Sequence, residues 1–162
     1  MARATFVKKA RKDHPDGGIK KGESYYWWEF RFGGKYYSKT APKLSQLTQS
    51  EFWGQAYEFI ERLQEITPET PLEDLESECQ SLTEEIRALG EECQEKLDNM
   101  PEQLQDADSG QMLQERVEGC EEWASELEGI DFSIDEDDSE DEKESRMEAI
   151  CDEVHGCEYS GS

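Results

Sequence analysis

Between residues 72 and 93 the apolar side chains recur at Leu72, Leu75, Cys79, Leu82, Ile86, Leu89 and Cys93, stepping alternately by three and four. That spacing is a heptad seam and predicts a long helix with one narrow buried stripe. A second seam follows at Leu113, Val117, Cys120, Ala124 and Leu127, after Pro101 and the polar stretch DADSG. Two seams around a short break predict an antiparallel helical hairpin over residues 72–128. Upstream, Phe52, Ala56, Phe59, Ile60, Leu63 and Ile66 also keep helical spacing, and Thr48 with Glu51 has the form of a capping box, so a helix is predicted over 48–66. Gly54 inside it costs about 1 kcal/mol of helix propensity.

The pattern changes in the first forty residues. ATFVKKA, ESYYWWEFRF and KYYSKT are rich in β-branched and aromatic residues and predict three strands. HPDGG between the first two is a turn, and Pro42 ends the third. Gly33-Gly34 suits a two-residue primed turn, which fixes a register. Phe32 then opposes Lys35, Phe30 opposes Tyr37, and Trp28 opposes Lys39, with Tyr26 on the same face. Arg31 opposes Tyr36, Glu29 opposes Ser38, and Trp27 opposes Thr40, with Tyr25 on the other face. The first face is expected to be covered by helix 48–66, leaving Tyr25, Trp27, Arg31 and Tyr36 on the open one.

These elements give an α+β fold: a small three-stranded antiparallel sheet with one covering helix, an acidic antiparallel helical hairpin, and an acidic tail. The expected organisation is a sheet-plus-helix module over 1–67, the hairpin over 72–128, and a largely disordered tail over 129–162. Disorder is expected for the tail because GIDFSIDEDDSEDEKE is a low-complexity acidic run, with ESRMEAICDEVHGCEYSGS adding at most a turn or two of helix.

Charge sharpens the division. Residues 1–50 hold 11 Lys and Arg against 4 Asp and Glu, whereas residues 51–162 hold 6 against 37, within a total net charge of −24. A surface so acidic repels nucleic acid and anionic lipid and attracts basic partners. The 162 residues contain no apolar run long enough to cross a membrane, and MARATFVKKARKD lacks the apolar core of a signal peptide, so a cytoplasmic location is expected. The five cysteines are an odd number, which suits free thiols in a reducing compartment.

Three chemistries present themselves. Rings interleaved with cations are what single-strand binding needs, so Tyr25, Trp27, Arg31 and Tyr36, with Lys8, Lys9, Arg11 and Lys12 for phosphate, are nucleic-acid-binding candidates within residues 1–67. The order Trp28, Arg31, Gly34-Lys35, Ser38, Thr40 and then a helix resembles the arm-binding domain of phage tyrosine recombinases. That resemblance covers about the first third of the chain and implies a three-stranded sheet with one helix. Recombinase activity is not expected, since no recombinase catalytic domain follows within the 162 residues. As a whole the chain resembles small phage or mobile-element proteins, which would place it in a host cytoplasm.

The hairpin offers the second chemistry. Carboxylates at Glu84, Glu85, Glu91, Glu92, Glu121 and Glu122 on a long helical object can imitate the phosphate rows of DNA, and a basic DNA-binding host protein is the partner expected of such a surface. Acidic faces that merely solvate a coiled-coil hairpin are the bland alternative, and a homo-oligomeric assembly protein with seams pairing between chains is a third. Cys151, His155 and Cys157 are of ligand type for zinc, but their spacing is not a common one and a fourth ligand is missing. No cofactor is expected. Nor is an enzyme, because no nucleophile–base pair stands out and the phosphate-cradling glycine motifs are absent.

Overall fold

The computed structural model describes residues 1–135 and 137–161. The fold is α+β, with a three-stranded antiparallel sheet and five helices. In chain order these are β1 (Thr5–Val7), β2 (Tyr25–Glu29), β3 (Lys35–Ser38), α1 (Glu51–Glu65), α2 (Leu72–Asp98), the short α3 (Glu102–Gln105), α4 (Asp108–Glu128) and α5 (Glu140–Gly156). The chain divides into two compact units, Met1–Glu58 and the residues from Phe59 onward.

In the first unit β2 is central, with β1 and β3 antiparallel on either side. The loop before β2 folds back on itself: His14 and Ile19 exchange backbone hydrogen bonds of 2.8 and 3.0 Å around a 3-10 turn over Pro15–Gly17. Gly18 and Gly22 there have φ of +62° and +99°, a region costly for any residue with a Cβ. Gly17 matters for a different reason, because a Cβ on it would sit 2.8 Å from the Tyr37 Cβ.

The β2–β3 register departs from the Gly-Gly turn. Tyr26 pairs with Ser38, Trp27 with Tyr37, Trp28 with Tyr36 and Glu29 with Lys35. Neither Gly33 nor Gly34 has positive φ, so no primed turn forms there. Residues 30–34 make a longer loop instead, closed by the Gly33 N–H donating to the Phe30 carbonyl at 3.2 Å. The shift is an odd number of residues, so every β3 side chain changes face relative to β2. Arg31 leaves the strand altogether.

Helix α1 begins at Glu51, with the Ser50 hydroxyl accepting from the Trp53 N–H at 3.4 Å. It is not simply the cover of the sheet. Phe52 and Ala56 are buried in the first unit, whereas Phe59, Leu63 and Ile66 belong to the second, where the Phe59 ring lies 6.2 Å from that of Trp123.

The second unit is built on the predicted hairpin. Leu75, Cys79, Leu82, Ile86, Leu89 and Cys93 on α2 are buried, as are Leu113, Cys120, Ala124 and Leu127 on α4. Gly90 lets the two helices approach, since a Cβ there would meet the Cys120 Cβ at 3.0 Å. Glu136 and Ser162 of the tail lie outside the described residues; the rest is not the disordered extension its composition suggests. Ser139 and Glu142 form a reciprocal capping box, α5 runs to Gly156, and Ile150, Cys151 and Val154 are buried. Arg146 of α5 also donates to the carbonyls of Asp131 and Ser133, which ties those two residues to the helix.

Candidate functional site

The two units carry opposite charge. Residues 1–58 hold 11 Lys and Arg against 6 Asp and Glu, a net of +5; residues 59–162 hold 6 against 35, a net of −29. In the second unit five of the six Lys and Arg side chains are engaged by neighbouring carboxylates. Arg62 pairs with Glu78 and Glu85 at 2.8 and 2.7 Å, Arg87 with Glu121 and Glu128, Lys96 with Glu92, Lys143 with Glu140, and Arg146 with Asp131 and Glu153. The excess negative charge therefore stays on the outside.

Glu84, Glu91, Glu92, Glu121 and Glu122 are exposed on α2 and α4. Of these, Glu121 lies 3.8 Å from Arg87, Glu92 lies 3.9 Å from Lys96, and Glu122 accepts a hydrogen bond from Ser160. Glu85 is different. It is half-buried, accepts from Arg62 and Ser81, and is a structural carboxylate rather than a surface one. The Arg62 hydrogen bond holds its carboxyl below the ordinary Glu range, and the same bond raises the Arg62 guanidinium.

A lowered folded-state value means that the unfolded chain binds the extra proton first as pH falls, so the pairing stabilises fully above the ordinary Glu value of about 4.3. Both side chains are a third or more exposed, so the contribution is discounted to about 1 kcal/mol. Arg62→Gln is expected to lower the urea midpoint at neutral pH. The gap from the parent should then narrow as pH falls through the depressed Glu85 value; a gap independent of pH would reject this role.

In the first unit, Lys8, Lys9, Arg11 and Lys12 follow β1 and are exposed, with no ion-pair partner among the described residues. Tyr25 and Trp27 share a β2 face, but Tyr36 does not join them. It lies on the Trp28 face, where the two rings stack at 5.7 Å and 13°. The Tyr25 face is instead occupied by Tyr37, with the His14 ring 4.4 Å from Tyr37 and 5.0 Å from Tyr25, while Lys35 Nζ sits 5.0 Å over the Trp27 ring. Arg31, in the loop, lies 5.3 Å over Phe32. The expected contact surface of Tyr25, Trp27, Arg31 and Tyr36 is thus not one surface.

Cys151, His155 and Cys157 do not converge. The two thiols are buried, Cys157 donates to the Glu153 carbonyl at 3.4 Å, and His155 Nε2 lies 3.0 Å from the Ile66 carbonyl. Among the described residues no group of three or more His, Cys, Asp or Glu side chains is placed to hold a metal ion. Burial pushes the Cys79 and Cys157 thiols up to about 11 and Cys120 to about 12, so they sit in the core as neutral thiols. The described helices include none long and apolar enough to cross a membrane.

No protein-family model, no curated protein and no solved structure matches this chain.

Proposed function

We propose that this is a non-enzymatic binding protein of phage or mobile-element type, whose acidic helical unit engages the DNA-facing surface of a basic host protein. The observation that carries the reading is the excess of carboxylates over cations on an ordered helical scaffold, five of whose six cations are already paired internally. Helix α2 carries 10 Asp and Glu and α4 carries 7. At a rise of 1.5 Å per residue the 27 residues of α2 extend about 40 Å. Leaving Glu85 aside, the two helices together carry roughly one carboxylate per 2.5 Å of that length, between the charge spacing of one DNA strand, about 3.4 Å, and that of the duplex, about 1.7 Å.

Such a surface attracts a cationic groove at long range, and its association is fast and salt-sensitive. The test is binding of the full chain to an immobilised basic, sequence-non-specific DNA-binding protein, with duplex DNA as competitor. Displacement by duplex and a steep fall in affinity between low and physiological salt are expected. Binding that duplex DNA leaves untouched, or no binding, would overturn the reading.

A further inference from the structure

The corrected register of the sheet creates a surface that its sequence conceals. Phe6 pairs with Tyr26 across β1 and β2, and Trp28 with Tyr36 across β2 and β3, so all four rings stand on one face. Phe6 and Tyr26 lie 5.0 Å apart, Trp28 and Tyr36 are stacked, and Phe30 meets Tyr36 edge-on at 5.6 Å. Trp28 is only 5% exposed and anchors the row, yet Phe6 is 55% exposed and Tyr36 is 45% exposed. These two rings are ordered by aromatic neighbours and open to solvent, so a partner stacking on them does not have to freeze them first.

We propose that this face binds an unpaired nucleic-acid strand, with bases stacked on Phe6 and Tyr36 and phosphates met by Lys8, Lys9, Arg11 and Lys12. Every base offers a ring face, and aromatic platforms beside free cations are how proteins hold single strands without reading sequence. Charge complementarity supports the occupant. The unit is net positive, its basic run after β1 is exposed and unpaired among the described residues, and two of its carboxylates, Glu23 and Glu29, are held by Lys39 and Lys35.

Geometry selects a single strand over a duplex. Phe6 and Tyr36 stand on the two outer strands and two residues out of step. Strand spacing and rise therefore separate their Cα atoms by roughly 12 Å. Bases stacked at about 3.4 Å in a duplex hide their faces from each other's neighbours and from both rings. Only an unstacked strand can lay bases on both. On the opposite face the rings already have partners, with His14 against Tyr25 and Tyr37 and Lys35 over Trp27, and all three are only partly exposed.

The experiment is fluorescence anisotropy of the full chain with labelled oligothymidylate and oligouridylate of about 15 nucleotides and a duplex of the same length, at about 50 and 200 mM salt. At least one single strand is expected to bind about tenfold tighter than the duplex; the DNA and RNA arms distinguish the source of the strand. Phe6→Ala and Tyr36→Ala should each weaken it about 5- to 150-fold, the equivalent of one lost stacking contact of about 1–3 kcal/mol. Phe6→Trp should restore binding, and Phe6→Leu, which keeps the apolar bulk, should still lose it, separating stacking from any loss of fold. Lys8→Gln with Lys9→Gln should flatten the salt dependence. Equal affinity for duplex, ring variants that bind like the parent, or no binding of either strand at either salt would overturn the proposal. None of these outcomes touches the acidic unit, whose reading stands or falls on its own competition experiment.

Discussion

Replacing Trp123 by alanine is expected to destabilise the second unit by about 3–5 kcal/mol. The side chain is almost fully buried, with the Phe59 and Tyr159 rings each 6.2 Å from it and its indole N–H donating to the Cys157 carbonyl at 3.2 Å. Truncation removes the largest fully buried side chain among the described residues and leaves that carbonyl without its donor. Trp123→Phe, which keeps most of the volume and loses the hydrogen bond, should cost about 1–2 kcal/mol. The margin is thin because a net charge of −29 in this unit opposes compaction, so salt should partly rescue the alanine variant by screening. Urea unfolding followed by helix circular dichroism gives the loss. The other three tryptophans, Trp27, Trp28 and Trp53, belong to the first unit, so indole fluorescence in the variant follows that unit alone. A loss below about 1 kcal/mol would mean that Trp123 is not the keystone its surroundings imply.

Trp123 also marks where the sequence was legible and where it was not. The seams on α2 and α4 could be read because a heptad stripe is a local signal, and nearly all its positions are buried. A two-helix seam needs one narrow row. Helix α4 widens that row with Trp123, buried three residues after Cys120, four before Leu127 and beside Ala124. That wider stripe is the sign of a further packing partner. The partners are the end of α1 and the C-terminal residues around Cys157 and Tyr159, which bring Phe59 and the Cys157 carbonyl to the indole. Helix α5 was hidden by composition: an acidic run reads as disorder, and only Ser139 with Glu142, a capping box inside DSEDEKE, announced a helix start.

The sheet failed differently. Its strands were legible from β-branched and aromatic residues, but register is decided by loop conformation, which composition does not fix. Gly33-Gly34 permits a primed turn without requiring one, and the chain spends its positive φ at Gly18 and Gly22 instead. A shift of odd length then moved Tyr36 beside Trp28 and Tyr37 beside Tyr25, and with them the candidate surface. The ring residues were visible in the sequence; which of them share a face was not.

Reversing charge on the exposed carboxylates of the hairpin is expected to slow association with a basic DNA-binding partner by about 10- to 10³-fold. The variant is Glu84→Lys, Glu91→Lys, Glu92→Lys, Glu121→Lys and Glu122→Lys together, which changes the charge of the acidic unit by ten while altering only solvent-facing positions. Glu85 is left alone because its carboxylate is bound to Arg62 and its loss would lower stability instead. The effect should fall on the association rate and shrink as salt rises, since electrostatic steering acts before contact and is screened within about 8 Å at physiological ionic strength. Stopped-flow association at several salt concentrations separates the two quantities, and helix circular dichroism checks that the hairpin is intact. Arg87 and Lys96 lose a carboxylate neighbour in this variant, but each of those pairs is long and exposed, so their loss should cost within about 1 kcal/mol. Glu85→Gln is the opposite control, expected to lower the urea midpoint and leave the association rate nearly unchanged. If the five-lysine variant associates as fast as the parent across the salt series, the acidic face is a solvated surface and the partner is recognised elsewhere.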